Sequence, residues 1–426
     1  MPTATGARPA SRIQLLTPLR HRDFRLLWTG MSISLLGDGI LLVALAWQTY
    51  SLSNTPAAMS AVGIALSAPQ ITLLLLGGVV SDRFDRRRIM LLSDLIRGGC
   101  LAALALLAFS GTLALWHLFA LAAVYGGASG FFGPAFDAVV PELVPADDLV
   151  HANALDQFIR PSAMHILGPA LGGGLIAVAG AGWGFVLDAL TFLISSACLV
   201  RMRPPSPTPA AGAATVWREL RDGLGYVRRN VWLWGTFAAA TITYLLFLGP
   251  TEVLLPYVVK NALHGTPASL GLILASGGLG AVLAALVVGQ AGVPKSFVTF
   301  MYLTWTLATL AVAGYGLAQR SWQLAFVCAV VNGLEAAGTI AWVSAKQRLV
   351  PNHMLGRVSS IDWFISIALL PLSYAIAAPV AHAFGAQNTL VIAGVLGALV
   401  TLTFLHLPGL RAVQWAAQPK PATVGR

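Results

Sequence analysis

The chain has 426 residues, of which 57% are hydrophobic and only 10% carry a charge. Soluble domains carry about 25% charged residues, and a soluble fold with so few could not cover this much apolar surface. The composition therefore excludes a soluble enzyme, a disordered protein and a secreted disulfide scaffold. It predicts a membrane protein whose spans take about 20 residues each.

Twelve apolar runs are long enough to cross a bilayer. The first six lie at about 25–50, 58–80, 89–110, 113–133, 157–179 and 183–200. The second six lie at about 232–257, 268–290, 297–318, 322–345, 360–383 and 386–407. In hydrocarbon every backbone polar group must be hydrogen-bonded within the protein, so each run is predicted to be an α-helix. We number the runs spans 1 to 12, and the predicted fold class is all-α.

The positive charges predict how the chain is oriented. Nearly all of the 26 Lys and Arg residues fall in the terminal segments or in loops that follow even-numbered spans. The loops on the opposite side hold only Lys260 and Arg320. By the positive-inside rule, both termini of this multi-pass protein are predicted to lie on the cytoplasmic side of the cell membrane. The same placement accounts for the net charge of +10 without a nucleic-acid partner.

Residues 201–230 divide the spans into two groups of six. The Pro- and Ala-rich stretch 204–214 predicts a flexible linker. Apolar residues then recur at helical spacing: Trp217, Leu220, Leu224 and Val227. Arginines surround them, which predicts a short helix on the membrane surface. The predicted organisation is an N-terminal segment (1–24), a six-helix bundle (25–200), the linker (201–230), a second bundle (231–407) and a tail (408–426).

The two groups of spans repeat each other at an offset of 206 residues. Leu143-Val144-Pro145 recurs as Leu349-Val350-Pro351. Four more pairs match at the same offset: Leu149 and Leu355, Asp156 and Asp362, Phe158 and Phe364, Ile159 and Ile365. Both copies begin in the loop between an even and an odd span, which predicts a parallel duplication of six spans, as in transporters with two pseudo-symmetric halves.

A run rich in aspartate and arginine joins spans 2 and 3. It reads Gly78-Val79-Val80-Ser81-Asp82-Arg83-Phe84-Asp85-Arg86-Arg87. It resembles motif A of the major facilitator superfamily, a Gly-xxx-Asp-Arg-x-Gly-Arg-Arg pattern in the same loop, although Asp85 stands where that pattern has its central glycine. The resemblance implies the major facilitator fold, with two pseudo-symmetric six-helix bundles.

Two further segments are similar to branches of that superfamily. Gly168-Pro169-Ala170-Leu171-Gly172-Gly173 on span 5 is similar to motif C of drug:proton antiporters. The stretches 141–145 and 152–155 resemble the loop of the enterobactin-exporter-like transmembrane secretion effector group. By this resemblance the bend at Pro169 favours an exporter, while the glycines alone also fit ordinary helix packing.

The resemblance further implies that motif A forms a cytoplasmic gate. Gly78 would let a neighbouring helix approach, and Asp82 would face the positive N-terminal end of another helix. The arginines Arg83, Arg86 and Arg87 would pair in one conformation with acids near spans 4, 5 and 11: Asp137, Glu142, Asp156 and Asp362. The alternative is that these arginines only anchor the loop at the membrane surface.

Acidic residues inside the spans are the candidates for proton coupling and for the substrate cavity. Asp38 lies near the middle of span 1, and Glu335 lies near the middle of span 10, close to Asn332. A carboxylic acid in low-dielectric surroundings can bind and release a proton near neutral pH, which suits exchange; a structural hydrogen bond is the alternative. Asp188 on span 6 and Glu252 on span 7 are predicted nearer the outer mouth, where a polar contact and a functional role fit equally.

Span 3 carries an acid and a base three residues apart. Asp94 and Arg97 share a helix face, which predicts a local ion pair near the cytoplasmic end of the span. Span 4 has no arginine, whereas many drug antiporters carry one there for proton transfer. Arg97 and Arg160 are the candidates to replace it.

Together these features predict a secondary transporter that exports small amphipathic molecules, such as drugs, siderophores or natural products, in exchange for protons. The predicted mechanism is alternating access around a midplane site. The expected partners are the substrate, protons and lipid, the expected functional unit is a monomer, and no cofactor or metal is expected. The sequence shows no HExxH, Walker A or GxSxG motif, so an enzyme is not predicted. The alternatives are an importer of a small metabolite and a membrane-embedded protein that does not transport.

Overall fold

The computed structural model describes residues 14–145, 148–203 and 213–416. Within these ranges the surroundings of some residues are not described, among them Gly78, Asp82, Arg83 and residues 213–220. Twelve of the described helices are long and apolar enough to cross a membrane. This confirms the predicted all-α chain with twelve spans. Most of the predicted linker stretch 204–214 lies outside the described residues.

The spanning helices are numbered α1–α12 in the order of spans 1 to 12. The first six are α1 (Arg22–Leu52), α2 (Pro56–Arg83), α3 (Arg86–Phe109), α4 (Leu115–Leu143), α5 (Leu149–Arg160, continued by Pro161–Leu167 and Gly168–Ala179) and α6 (Ala181–Arg201). The second six are α7 (Val231–Tyr257, continued by Val258–Ala262), α8 (Pro267–Ala291), α9 (Phe297–Leu317), α10 (Ser321–Leu349), α11 (Asn352–Ala368 and Leu370–Phe384) and α12 (Ala386–Leu405). The helix Ala213–Arg229 between the two groups is called the linker helix.

The two ends of the helical assembly are named by the residues they carry. The terminal face carries the start of α1 at Arg22 and the end of α12 at Leu405. The distal face is the opposite end and carries the connection between α1 and α2. Because each helix crosses the assembly once, every loop that follows an even-numbered helix lies on the terminal face.

Each group of six helices packs as its own bundle. In the first half, α2 packs on α4, α1 packs on α6, and α3 packs on both α4 and α6. In the second half, α8 packs on α10, α7 packs on α12, and α9 packs on both α10 and α12. Every helix pair of the first half thus recurs six helices later. The two bundles are pseudo-symmetric copies, which confirms the fold implied by motif A.

The halves meet along two equivalent helix pairs, α5 with α8 and α11 with α2. At the first pair the backbones touch because both helices present glycine. A Cβ atom added at Gly173 would lie 2.9 Å from the Cα of Gly271 and 2.7 Å from the carbonyl oxygen of Pro267. Small residues permit this approach between helices that share no hydrophobic driving force in a bilayer.

The helices α5 and α11 both depart from α-helical geometry at the same point of the repeat. In α5 the segment Pro161–Leu167 is a π-helix, and α11 is interrupted at Leu369, which lies 206 residues after Ala163. Proline accounts for both irregularities because it lacks an N–H group and its ring clashes with the preceding turn: Pro161 begins one segment and Pro371 follows the other break. Two of the helices at the junction of the halves therefore lose regular α-helical geometry at equivalent places.

The linker helix packs against the terminal end of α11. Asp222 lies 3.5 Å from the Arg357 guanidinium, and Val227 is buried in a cluster that includes Trp232 and Ile361. Leu224 remains 41% exposed, so its face is available to a membrane surface. The side chains of Trp217 and Leu220 lie outside the described part, and the surface location of this helix stays a prediction.

The glycine contact between α5 and α8 makes a stability prediction with a matched control. We expect Gly173→Ala to destabilise the protein by about 1–3 kcal/mol, because the added methyl group meets backbone on α8. The neighbouring Gly174 has no atom within 4 Å of an added Cβ, so Gly174→Ala should leave stability unchanged or raise it through helix propensity. Thermal unfolding of both variants in detergent measures the difference, and equal midpoints would contradict the packing described here.

Candidate functional site

Ionisable side chains from four helices meet inside the first half. They are Asp38 on α1, Asp94 and Arg97 on α3, Tyr125 on α4 and Asp188 on α6, and their charges interact with one another. We call these five residues the acid–arginine cluster. Each lies well inside its helix, so the cluster sits within the apolar thickness of the assembly.

The guanidinium of Arg97 is the one cation of this cluster and is almost fully enclosed. Its Nη2 donates to Asp94 Oδ1 over 2.5 Å, and its Cζ lies 4.7 Å from the ring centre of Phe132 and 4.4 Å from that of Phe192. A desolvated cation between aromatic faces gains about 2 kcal/mol or more. The predicted position near the end of the span is wrong, since Arg97 lies about 16 Å along α3 from its start.

Asp94 connects α3 to α6. Its second carboxylate oxygen accepts a hydrogen bond of 2.6 Å from Ser195 Oγ, and the residue has no exposed surface. Both oxygens of Asp94 therefore have partners. The pair Asp94–Arg97 is consequently neutral and satisfied on its acidic side.

Asp38 is the carboxylate of the cluster that retains partial exposure. The hydroxyl of Tyr125 donates to its Oδ1 over 2.5 Å, which joins α1 to α4. The other two carboxylates, Asp94 and Asp188, are both 0% exposed. Asp38 is therefore the acid of this cluster that water can reach.

Asp188 lies in the distal half of α6, 7 residues from its start at Ala181, and it is fully buried. Its Oδ1 accepts a 3.1 Å hydrogen bond from Thr191, while its Oδ2 has no partner among the described residues. The reason is Gly37 on α1: a Cβ there would collide with the Asp188 carboxylate. Since Gly37 has no side chain, α1 closes over Asp188 and shields it from solvent.

The charges of the cluster do not balance if every acid is ionised. Three carboxyl groups share one guanidinium, and Asp94 already neutralises that cation. An uncompensated carboxylate in an apolar interior is costly and binds a proton instead. Asp38 and Asp188 are therefore the groups of the cluster that can hold protons within the membrane.

The second half contains a cavity with a single acid, Glu335 on α10. The cavity has an empty volume of about 490 Å³, including its opening. The lining side chains come from α7, α9, α10 and α12: Ala239, Ala240, Thr243, Tyr244, Phe247, Trp305, Ala308, Thr309, Val331, Glu335 and Thr401. Its walls show the mixture that is usual in small-molecule sites, mostly apolar surface with a few polar groups.

The remaining predicted cavity residues lie elsewhere in the second half. The Asn332 amide donates to the carbonyl oxygen of Cys328 over 2.9 Å, one turn back on the same helix. Glu252 accepts a 2.6 Å hydrogen bond from the hydroxyl of Tyr374 on α11. Neither side chain lines the cavity at Glu335.

The described part of motif A makes contacts that order the terminal end of the first half. Arg86 forms an ion pair with Glu142 and donates to the carbonyl oxygen of Ala138 over 3.0 Å, both on α4. Arg87 donates to two carbonyl groups at the end of α6, those of Leu199 and Val200, each over 2.6 Å. The surroundings of Gly78 and the side chains of Asp82 and Arg83 lie outside the described part.

Asp85, which replaces the central glycine of motif A, has a structural explanation. Asp85 is the N-cap of α3, and its carboxylate accepts hydrogen bonds from the backbone N–H groups of Arg87 and Arg88. Aspartate is among the preferred N-cap residues because it satisfies donors that have no partner within the helix. The departure from the family pattern therefore gives α3 a cap.

The other acids predicted to pair with motif A do not contact its described arginines. Asp156 lies 3.0 Å from Arg160 on its own helix. Asp362 accepts hydrogen bonds from Lys346 and, over 2.9 Å, from Trp342. Asp137 is exposed. In this structure nearer donors, on the same helix or on α10, occupy Asp156 and Asp362. The pairing of all three acids with motif A stays a prediction.

The glycines of motif C lie where α5 contacts two helices. A Cβ added at Gly172 would lie 2.9 Å from the Cα of Ile40 on α1. Gly168 and Gly39 also face each other, with 2.6 Å between an added Cβ at Gly168 and the Cα of Gly39. Pro169 and Gly173 face α8. Motif C therefore forms one side of the contact between the halves and also packs beside Asp38.

Direct hydrogen bonds join the halves at the distal face, where the end of α1 meets the end of α7. The hydroxyl of Tyr50 donates to the carbonyl oxygen of Val253 over 2.5 Å, and Lys260 donates to the carbonyl oxygen of Tyr50. The amides of Asn54 and Asn261 are 2.6 Å apart.

Several partners in these sites were not predicted from the sequence. Ser195 and Phe192 complete the surroundings of Asp94 and Arg97, and Trp305 lines the cavity. The spacing Phe192–Ser195 places both residues on one face of α6, but nothing in the sequence aligns that face with α3. Within the described residues no group of three or more His, Cys, Asp or Glu side chains could hold a metal ion.

Comparisons with known proteins agree with this architecture. A family model described as "Transmembrane secretion effector" matches residues 13–422. The macrolide efflux protein A of Streptococcus pyogenes is 24% identical over 378 residues, which is 88% of this chain and 93% of that protein. The enterobactin exporter EntS of Escherichia coli K12 is 27% identical over 406 residues, which is 91% of this chain and 93% of that protein.

Solved transporter structures share the fold at low sequence identity. A crystal structure of the nucleoside transporter NupG superposes with a TM-score of 0.70 at 11% identity and covers 90% of this chain and 99% of that chain. An inward-facing bacterial homologue of the lysosomal transporter Spinster superposes with a TM-score of 0.65 at 12% identity, covering 94% of this chain and 96% of that chain.

The burial of Arg97 predicts a large difference between two arginine substitutions. Arg97 and Arg160 both pair with an aspartate on their own helix, but their side chains are 6% and 44% exposed. We expect Arg97→Gln to cost about 3–5 kcal/mol because it leaves Asp94 buried without its cation. Arg160→Gln should cost about 0–1 kcal/mol. Thermal unfolding in detergent compares the two variants.

A double substitution separates the lost ion pair from lost packing. If the uncompensated Asp94 carboxylate causes the instability, Asp94→Asn combined with Arg97→Gln should unfold at a higher temperature than Arg97→Gln alone. Strictly additive losses would mean that Arg97 acts through its contacts with Phe132 and Phe192 instead.

Proposed function

The chain belongs to the transmembrane secretion effector family of the major facilitator superfamily, and we propose that it exports small amphipathic molecules across the cell membrane in exchange for protons. The resemblance noted at motifs A and C is confirmed by the family match. The protein is a multi-pass membrane transporter that acts on small molecules. The direction of transport, the coupling to protons and the orientation in the membrane are the proposed parts.

Export is supported by two relatives of this chain. One is named for macrolide efflux and the other for enterobactin export, and each aligns with about nine-tenths of this chain. Macrolides and enterobactin are named for those two relatives and not for this chain. What they have in common is movement out of the cell, and that direction is the part we carry over to this chain.

The single observation that carries proton coupling is the excess of acid in the acid–arginine cluster. Asp38 can be reached by water, and Asp188 is enclosed with one oxygen free of partners. In this mechanism a proton enters through Asp38, and the enclosed Asp188 binds a proton when the surroundings close. Arg97 supplies the nearby cation that drug antiporters carry on helix 4. Its position next to Asp38, Asp94 and Asp188 lets a change of protonation alter which acid it balances.

The orientation follows from the charge distribution of the loops. The terminal face collects the arginines and lysines, so we assign it to the cytoplasm. The distal hydrogen bonds of Tyr50, Asn54 and Lys260 then close the outer side, and this conformation loads substrate from the cytoplasm. Release outward requires those bonds to break while the halves rock about α5–α8 and α2–α11. The contacts of Arg86 and Arg87 hold the terminal end of the first half together, so that it can move as one body.

Import of a small metabolite is the second candidate on the same fold. The same cluster would serve a symporter in which substrate and proton move together. The two functions differ in the sign of the response: an inward-directed proton gradient drives substrate out of the cell in an exchanger and into the cell in a symporter. Transport measured in sealed vesicles with an imposed pH gradient therefore decides between them.

Proton coupling predicts that loss of an acid separates driven transport from exchange. In proteoliposomes loaded with the fluorescent cation rhodamine 6G, we expect a pH gradient to drive dye movement against its concentration gradient. Asp38→Asn and Asp188→Asn should each reduce this driven movement at least tenfold. Exchange of labelled dye against unlabelled dye should persist, because it needs no net proton movement.

The control for this experiment is Asp156→Asn, which removes a carboxylate whose partner Arg160 is 44% exposed. This variant should keep both activities. Driven transport that continues at the wild-type rate in Asp38→Asn and Asp188→Asn would assign both acids a structural role. Dye movement in wild type that ignores the pH gradient would remove the proton from the mechanism.

Closure of the distal face predicts a reversible block. In a variant lacking Cys100, Cys198 and Cys328, Asn54→Cys and Asn261→Cys together place two thiols at the amide contact between the halves. A short bifunctional thiosulfonate should join them and abolish transport, because the outer side can no longer open, and a reducing agent should restore it. The single variants control for modification alone, and full activity of the cross-linked protein would show that this contact need not open.

A further inference from the structure

The cavity of the second half contains an acid without a partner. Glu335 has no hydrogen bond or ion pair with any described residue. The other buried acids of this half are occupied: Glu252 by Tyr374, and Asp362 by Lys346 and Trp342. An unpartnered acid at mid-span on the wall of a cavity indicates that its partner comes from outside the chain.

The walls of the cavity fit an organic group around that charge. Tyr244, Phe247 and Trp305 provide aromatic surface, and Thr243, Thr309 and Thr401 provide hydroxyl groups. Aromatic faces attract cations as well as apolar surface. The described lining contains no lysine or arginine, so nothing there would attract an anion.

Position separates this cavity from the proton-binding groups. The acid–arginine cluster lies on α1, α3, α4 and α6, while the cavity is built from α7, α9, α10 and α12. None of the charged groups that act on Asp38 or Asp188 belongs to the second half. The first half therefore carries the proton-binding acids Asp38 and Asp188, and the second half carries Glu335 on the wall of the cavity.

We propose that the cavity is a subsite for the cationic group of an amphipathic organic amine or quaternary cation, with Glu335 as its counter-ion and Tyr244, Phe247 and Trp305 around its apolar body. This assignment rests on the proposed export function and names its substrate class. It makes the second half the recognition half and the first half the proton half. Rocking of the two halves against each other then couples the two events.

The test is binding of a matched pair of probes, measured by calorimetry on purified full-length protein in detergent without any gradient. Tetraphenylphosphonium is permanently cationic, and triphenylphosphine oxide is a neutral compound with similar aromatic groups. We expect wild type to bind the cation at least tenfold more tightly than the neutral probe. Glu335→Gln should remove that preference by weakening cation binding at least tenfold, with little change for the neutral probe.

Glu252→Gln is the matched control, because it alters an acid of the same half that is bound to Tyr374, and it should keep the preference for the cation. If Glu335→Gln does not fold, Trp305→Leu serves as a second variant and should weaken binding of both probes. Equal binding of the two probes by wild type, or an unchanged preference in Glu335→Gln, would overturn the proposal.

The outcome is independent of the test of the proposed function. Binding is measured at equilibrium, so a failure of proton coupling in Asp38→Asn or Asp188→Asn leaves the binding result intact. Conversely, gradient-driven export of neutral dyes with no charge preference in binding would retain the exporter and reject this substrate class.

Discussion

The cost of an unbalanced charge in hydrocarbon governs how this molecule is built. A buried arginine is tolerated because Asp94 and two aromatic rings enclose it, and that arrangement requires α3, α4 and α6 to meet at one point. The two acids left over, Asp38 and Asp188, have no cation of their own. The Asp94–Arg97 ion pair thus stabilises the first half and leaves Asp38 and Asp188 without a cation, so that they can bind protons. The structure and the proposed mechanism depend on the same ion pair.

Close packing of small residues between the two halves leaves them free to move against each other. The halves meet through glycine backbone at α5 and α8, so few interlocking side chains oppose a rocking motion there. Directional hydrogen bonds join the halves at the distal ends of α1 and α7. The irregular segments of α5 and α11 lie in two of the helices at which the halves meet. A proton bound near α1 therefore acts next to the surface along which the halves move.

Features within one helix or one loop could be predicted from the sequence, and features between helices could not. Asp94 and Arg97 share a face at a spacing of three, so their pairing needed no tertiary information. The complete burial of Asp188 could not be predicted, because it depends on Gly37 of another helix. Likewise the ion pair between Lys346, in the last turn of α10, and Asp362 on α11 could not be predicted. Sequence distance says nothing about which helix faces meet.

By itself the sequence determined the all-helical class, the number of spans, the duplication into halves and the family, because hydrophobic run length and loop motifs are local properties that the bilayer imposes on every residue. The tertiary structure decided which acids lack a partner. That depends on how far neighbouring helices approach and which faces they present, and both are set by packing between residues distant in the chain. Glu335 illustrates the division: its depth can be read from the sequence, and its open, cation-free surroundings can be read from the fold alone.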